Sequence, residues 1–197
     1  HILGAREQKA LDHALDETQR ALAVSPNYLL AIFVKGRVLA AMGRYDEAIQ
    51  NIKRLAQYNP QGVESPVRGR GAAETARVRE AVDVRIIEHV WDRWDYILDL
   101  IQHKSVDVIN LFPEGCGGIA RCKKVLALAE AAGIDALLGS TVELGIGTAG
   151  MVHLGVSSPI ICYPSDVIGP AMYTEDIITR PFDYADGHLA PPEAPGL

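Results

Sequence analysis

The sequence predicts an α/β fold with parallel strands, on three observations. From Gly62 onward, short apolar runs alternate with stretches of helical spacing. The clearest unit is Asp107-Val-Ile-Asn-Leu-Phe-Pro-Glu-Gly-Cys-Gly-Gly-Ile119: an apolar run suited to a strand buried on both faces, then a glycine-rich turn, then a helix. Successive runs recur every 20–27 residues or so, room for one crossover helix between parallel neighbours.

The first sixty residues follow a helical pattern instead. A repeat at a spacing of 34 relates Leu11 to Tyr45, Ala14 to Ala48, Leu15 to Ile49, Ala21 to Leu55 and Pro26 to Pro60. Residues 8–26 read as one helix. Asn27 to Met42 reads as a second, with Leu29, Ile32, Phe33, Val38 and Leu39 at helical spacing and Gly36 where a paired helix packs closely. Gly43-Arg-Tyr-Asp-Glu-Ala48 opens a third, which Asn59-Pro60 ends. This pattern resembles a tetratricopeptide repeat over 27–60. About three such units are needed to bury a continuous core. With fewer, a helical hairpin or three-helix layer packed on the rest of the chain is expected, with a protein partner bound through the repeat as the functional alternative.

The remaining elements follow in order. Gly62 to Val67 reads as a short strand ending in an acid and a proline, and 72–82 as a helix. Val84 to Val90 is the next strand, Trp94 to His103 a helix, and Val106 to Leu111 a strand. Residues 118–132 form a helix opened by Gly117 and Gly118, and Ile134 to Gly139 a strand. Gly145 to Val156 is a helix, Pro159 to Tyr163 a final strand, and the Pro-, Asp- and Gly-rich tail from Ser165 is irregular.

Composition removes several function classes. A net charge of −6 with no Lys/Arg cluster argues against nucleic-acid binding. No apolar run reaches the roughly 20 residues that cross a bilayer, and His1-Ile-Leu-Gly has no signal-peptide form, so no membrane partner is expected. Cys116, Cys122 and Cys162 lack zinc-type spacing and read as free thiols of a cytoplasmic protein. The chain has no initiator Met, and a fragment or processed product is expected.

Residues 62–197 resemble the barrel of the enolase superfamily, in particular the mandelate racemase/muconate lactonising enzymes. The resemblance rests on Val63-Glu-Ser-Pro-Val67, Ala76 to Val84, Val106 to Leu111 with Gly117-Gly-Ile119, and Ala129 to Gly133. It continues through Leu138-Gly-Ser-Thr-Val-Glu143, Gly145-Ile-Gly147, Asp186-Gly and Pro192 to Leu197. It implies a partial TIM-type (β/α) barrel over 61–197, joined to the tetratricopeptide-like hairpin of 1–60.

The activity implied is abstraction of a proton beside a carboxylate, by a racemase, epimerase or dehydratase of a small hydroxy acid. Mg²⁺, or Mn²⁺, would act as Lewis acid. Carried over residue by residue, Glu64 falls at the second metal ligand and Glu88 or His89 at the third. Glu143 matches a late Glu of the family. Glu114, just past a strand end, lies where barrels of this type place chemistry. The first ligand and the Lys-x-Lys base have no counterpart; Phe112 and Thr141 stand where other members carry Lys and His. The chain alone is therefore expected to be incomplete and inactive. The alternative is a non-catalytic helical-repeat protein carrying a degenerate barrel fragment. About five βα units against the eight of a closed barrel leave strand edges open, which predicts a homo-oligomer.

Overall fold

Amphipathic spacing becomes three helices at the start of the chain. The computed structural model describes residues 2–67, 71–91 and 93–192. Contacts divide the chain into two units, residues 1–87 with 102–106, and residues 88–101 with 107–197.

In the first unit, α1 (Ile2–Val24), α2 (Leu29–Ala41) and α3 (Tyr45–Ala56) pack side by side. Ile32, Leu39 and Ala48 are fully buried, with Leu15, Ile52 and Leu55 beside them. Gly36 is where α2 and α3 meet most closely: a side chain there would touch Asn51 and the Ala48 carbonyl at 3.5 and 3.7 Å. The turn between them uses Gly43 at φ +77°. Arg44 then grips Glu47 with two hydrogen bonds of 2.6 and 2.7 Å, which holds the Glu47 carboxyl below its usual range.

After that layer the chain enters β1 (Val63–Glu64), crosses through α4 (Ala72–Ala81) and returns as β2 (Ile86–His89). Val63 faces Ile86 and Glu64 faces Ile87 in a parallel ladder. The Glu74 carboxylate accepts the Gly71 N–H and starts α4. Ser105 donates to the Ala72 carbonyl at 2.7 Å, holding that end of α4 in place.

The second unit holds α5 (Tyr96–Gln102) almost entirely, then β3 (Val108–Leu111) and α6 (Pro113–Cys116). It continues with α7 (Ile119–Ala131), β4 (Asp135–Leu138) and α8 (Gly145–Val156). β3 is buried at all four positions, as its apolar run with the single internal amide Asn110 predicts, and pairs in parallel with β4 from Val108↔Asp135 to Leu111↔Leu138. The Val90 N–H, just past β2, donates to the Asn110 carbonyl of β3 at 2.8 Å. Cys122, Val125 and Ala129 of α7 and Met151 and Leu154 of α8 are fully buried.

Two expectations are corrected and one is refined. Residues 159–163 do not form a strand; one parallel bridge, Ala136↔Ile161, is all that is left. Pro159 has no N–H to give, and the Ile161 N–H closes a turn onto the Ser158 carbonyl at 2.9 Å, so pairing with β4 does not extend beyond that bridge. The glycine-rich turn expected after β3 opens with one helical turn: Pro113 starts α6, where the fixed φ of proline suits a first helical position. The tail is ordered in two places, a 3₁₀ turn at Gly169–Met172 and a hairpin of β5 (Tyr184–Ala185) with β6 (His188–Leu189). Of the closing segment Pro192 to Leu197, residues 193–197 lie outside the described residues.

Candidate functional site

The C-terminal ends of β3 and β4 bring two of the expected residues together. Glu114 stands in the first turn of α6, three residues beyond β3. Glu143 closes the loop from β4 to α8. Both lie against Gly147: a side chain there would meet Glu114 Oε1 at 2.3 Å and Glu143 Cβ at 2.9 Å. Only a residue without Cβ lets the two acids approach the start of α8 this closely.

The Glu143 carboxylate is held by its own loop. Ser140 Oγ donates to Oε2 at 2.8 Å, the Thr141 N–H at 3.2 Å, and Thr148 Oγ1 to Oε1 at 3.4 Å. Between these residues sits Val142 at φ +64°, a left-handed conformation that a β-branched residue rarely adopts. Strain of this kind costs roughly 1–3 kcal/mol and persists where neighbours over-determine it. Here they do: Ser140 Oγ accepts the Val142 N–H at 2.9 Å, and Tyr173 Oη donates to the Val142 carbonyl at 2.7 Å.

The tail supplies the rest of the frame. Both oxygens of Asp176 accept the Gly145 N–H at 3.0 Å, neutralising the positive end of α8. Ile178 packs on Gly145, and Gly169 lies against the Glu143 backbone. Partial burial raises the Tyr184 phenol above its ordinary range, and the charges of Glu143 and Asp176 add to that. Sequence reading missed Asp176, Tyr173 and Tyr184, because each acts on a loop some thirty residues or more away in the chain. The one available signal was the acidic, aromatic make-up of a tail otherwise read as irregular.

The three residues expected to hold a metal fall in both units. Glu64 is in the first unit, partly buried at the end of β1, followed by Ser65 at φ +45°. Glu88 and His89 are in the second unit. Burial alternates along β2, so neighbouring Glu88 and His89 project to opposite faces. Glu88 is 8% exposed, and its Oε1 accepts the His89 N–H at 3.0 Å. The His89 ring stands edge-on to Trp91, which in turn stacks on Phe112. Among the described residues no three His, Cys, Asp or Glu side chains gather as a metal site.

The helical unit offers a different feature, an open hollow of about 400 Å³. Its walls are mostly apolar: Leu29, Leu30, Phe33, Leu55, Tyr58 and Val63, with Glu64 at the margin. Leu29, Leu30 and Tyr58 are all exposed.

Parallel β/α units with two acids just past the strand ends are the arrangement of (β/α) barrels, the fold class that places chemistry at that rim. Residues 23–197 match the enolase C-terminal domain-like family, and the chain belongs to it. The match takes in α2 and α3 as well as the β/α units. Muconate cycloisomerase 1 of Rhodococcus opacus is 31% identical over 190 residues, 95% of this chain and 50% of that protein. L-Ala-D/L-Glu epimerase of Bacillus subtilis is 30% identical over 169 residues, 83% of this chain and 46% of that protein. Among solved structures, muconate cycloisomerase from Pseudomonas fluorescens superposes with a TM-score of 0.74 at 24% identity, over 85% of this chain and 50% of that one. That likeness shows the fold. The chain spans about half the length of the curated relatives it matches. No helix among the described residues is long and apolar enough to cross a membrane.

Proposed function

We propose that this chain supplies the β3–β4 rim of an isomerase of racemase, epimerase or cycloisomerase type acting on a carboxylate substrate, and that it does not turn over by itself. One observation carries the reading: Glu114 and Glu143, from successive β/α loops, share the space over Gly147. Glu143 has its acceptors engaged by Ser140, Thr141 and Thr148, so it acts as a fixed negative wall. Glu114 is exposed and able to accept from a ligand. Two carboxylates side by side repel a second anion and attract a donor. The rim therefore suits the ammonium or hydroxyl end of a substrate, not its carboxylate.

A dipeptide of the kind named for L-Ala-D/L-Glu epimerase presents such a donor; muconate, a dicarboxylate, does not. The small hydroxy acid expected from sequence also qualifies. Lys-x-Lys occurs nowhere in the sequence, and among the described residues no three metal-ligating side chains gather, which favours silence of the chain alone. Calorimetric titration with L-Ala-L-Glu and with muconate tests the reading, beside α-proton exchange in D₂O with and without millimolar Mg²⁺ or Mn²⁺. Binding of the dipeptide, weakened about tenfold by Glu114→Gln as expected for one charge-assisted hydrogen bond, and no exchange, is the expected outcome. Equal binding of muconate, or metal-dependent exchange, would overturn it.

A second reading is favoured by the hollow in the helical unit. There α2 and α3 act as a tetratricopeptide-like surface for an apolar helix of a protein partner, and the exposed Leu29, Leu30 and Tyr58 supply the contact. Leu30→Glu then abolishes binding of an amphipathic helical peptide; unchanged binding refutes this. Self-association through open strand edges belongs to the same proposal, and light scattering that shows a monomer at high concentration counts against it.

A further inference from the structure

The two acids of the rim are not equivalent, and one hydroxyl separates them. Ser140 stands two residues beyond β4. A serine hydroxyl has one proton to give and lone pairs with which to receive. Ser140 Oγ receives the Val142 N–H at 2.9 Å. A backbone N–H can only donate, so the single Ser140 proton is left for Glu143 Oε2, at 2.8 Å. The other bonds to that carboxylate are longer: the Thr141 N–H at 3.2 Å and Thr148 Oγ1 at 3.4 Å. Ser140 thus does two things at once. It helps hold Val142 at φ +64°, and it turns the Glu143 carboxylate toward its own loop. Glu114, across Gly147, is exposed.

We propose that Ser140 is a positioning residue that sets the specificity of the rim: by occupying Glu143 Oε2 it leaves Glu114 as the acid that accepts the donor group of a ligand. The ligand, though not the state of Glu143, rests on the isomerase reading. The rim then takes one ammonium or hydroxyl group through one carboxylate, with the second as a fixed charge behind it. Ser140→Ala removes both bonds. The Val142 N–H loses its receiver and the strained turn relaxes. Glu143 Oε2 loses its shortest bond and is able to turn toward Glu114 over Gly147. Either acid then serves. Ser140→Thr keeps the hydroxyl and keeps the two acids distinct.

Two measurements on the full chain test this. The first needs no ligand. Carboxylates are coupled to glycinamide with a water-soluble carbodiimide, and the sites are read by trypsin digestion and tandem mass spectrometry. Cleavage after Lys104, Arg121 and Lys124 places Glu114 and Glu143 on different peptides. A hydrogen bond to a charged group is worth about tenfold or more in an equilibrium, so Glu143 should label about tenfold less than Glu114 in the wild type. The two should label alike in Ser140→Ala, and Ser140→Thr should restore the difference. Thr148→Val removes only the 3.4 Å bond of a buried side chain. It should leave Glu143 labelling within about twofold of wild type, as suits a long, poorly formed bond.

The second measurement is calorimetric titration with L-Ala-L-Glu. Glu114→Gln should weaken binding about tenfold in the wild-type background and by less than about twofold in Ser140→Ala, where Glu143 takes its place. A merely structural role for Ser140 would not produce that coupling. Equal labelling of the two acids in the wild type, or loss of protection in Ser140→Thr, would overturn the proposal even if Ser140→Ala fails to fold. So would protection of Glu143 that survives Ser140→Ala, a Thr148→Val effect as large as that of Ser140→Ala, or a Glu114→Gln effect equal in both backgrounds. A dipeptide that binds none of the variants refutes the isomerase reading, and the labelling pattern then decides the role of Ser140.

Discussion

Gly169→Ala tests whether the tail really frames the rim. Gly169 begins the 3₁₀ turn and is buried. A Cβ there would lie 1.8 Å from the Glu143 carbonyl oxygen, 2.8 Å from its carbon and 3.0 Å from its nitrogen. These are backbone atoms of a loop already pinned around Val142, so no rotamer change relieves the contact. The turn must move outward by about 1.5 Å to restore an ordinary carbon–oxygen separation, since close-packed interiors absorb such an insertion only by backbone shifts. That movement carries Tyr173 away from the Val142 carbonyl, now 2.7 Å distant. Overpacking of this kind costs about 1–3 kcal/mol. The lost hydrogen bond adds about 1 kcal/mol, for a total of about 2–4 kcal/mol. Differential scanning calorimetry should show a midpoint lower by roughly 5–15 °C for a chain of this size. Tyr173→Phe removes only the hydrogen bond and should cost about 0.5–1.5 kcal/mol. Gly169→Ala within about 0.5 kcal/mol of wild type, inside the usual range of a neutral surface change, would refute the frame. So would a Tyr173→Phe effect as large as that of Gly169→Ala.

Gly150 lies inside α8, and a side chain there would touch nothing nearer than Ile119 at 4.0 Å. Gly150→Ala should therefore stabilise by about 0.5–1 kcal/mol, read as a higher thermal midpoint. Lys123 caps the other end of the same helix, donating to Ser157 Oγ at 2.9 Å and Ser158 Oγ at 2.8 Å. Lys123→Met should cost about 1–2 kcal/mol in urea unfolding, because both the bonds and the charge at a helix C-terminus are lost. Tyr184 should be a late-titrating phenol in near-ultraviolet absorbance, absent from Tyr184→Phe and shifted back by Asp176→Asn. Its folded pKa is raised. The stability linked to its neutral form is thus complete below the ordinary tyrosine pKa and fades as pH climbs through the raised value. Glu47 behaves in the opposite sense: Arg44 lowers its pKa, so its contribution is present above the ordinary carboxylate pKa and fades as pH falls through the lowered one.

Local order was legible because neighbours in sequence create it. Helix α8 occupies Gly145–Val156 as its small and apolar pattern predicts, and α4 and α7 fall within a residue of their expected bounds. β3 declared itself by an apolar run interrupted only by Asn110, and the helical character of the first sixty residues by a repeat of Leu, Ala and Pro positions. Glu114 and Glu143 were recognisable as acids just beyond strand ends.

Their meeting over Gly147 was not, nor the carboxylate of Asp176 on the Gly145 N–H. Each joins atoms whose separation in space is unrelated to the period of a helix or strand. The same holds for what failed to form. Pro159 to Tyr163 has strand composition, but a strand exists only where a neighbour's ladder accepts its donors, and there a turn claims them first. Periodicity is a property of one segment, and the amino-acid order alone determined it. Convergence of acids and caps depends on which segments are packed together, and only the folded chain decided that.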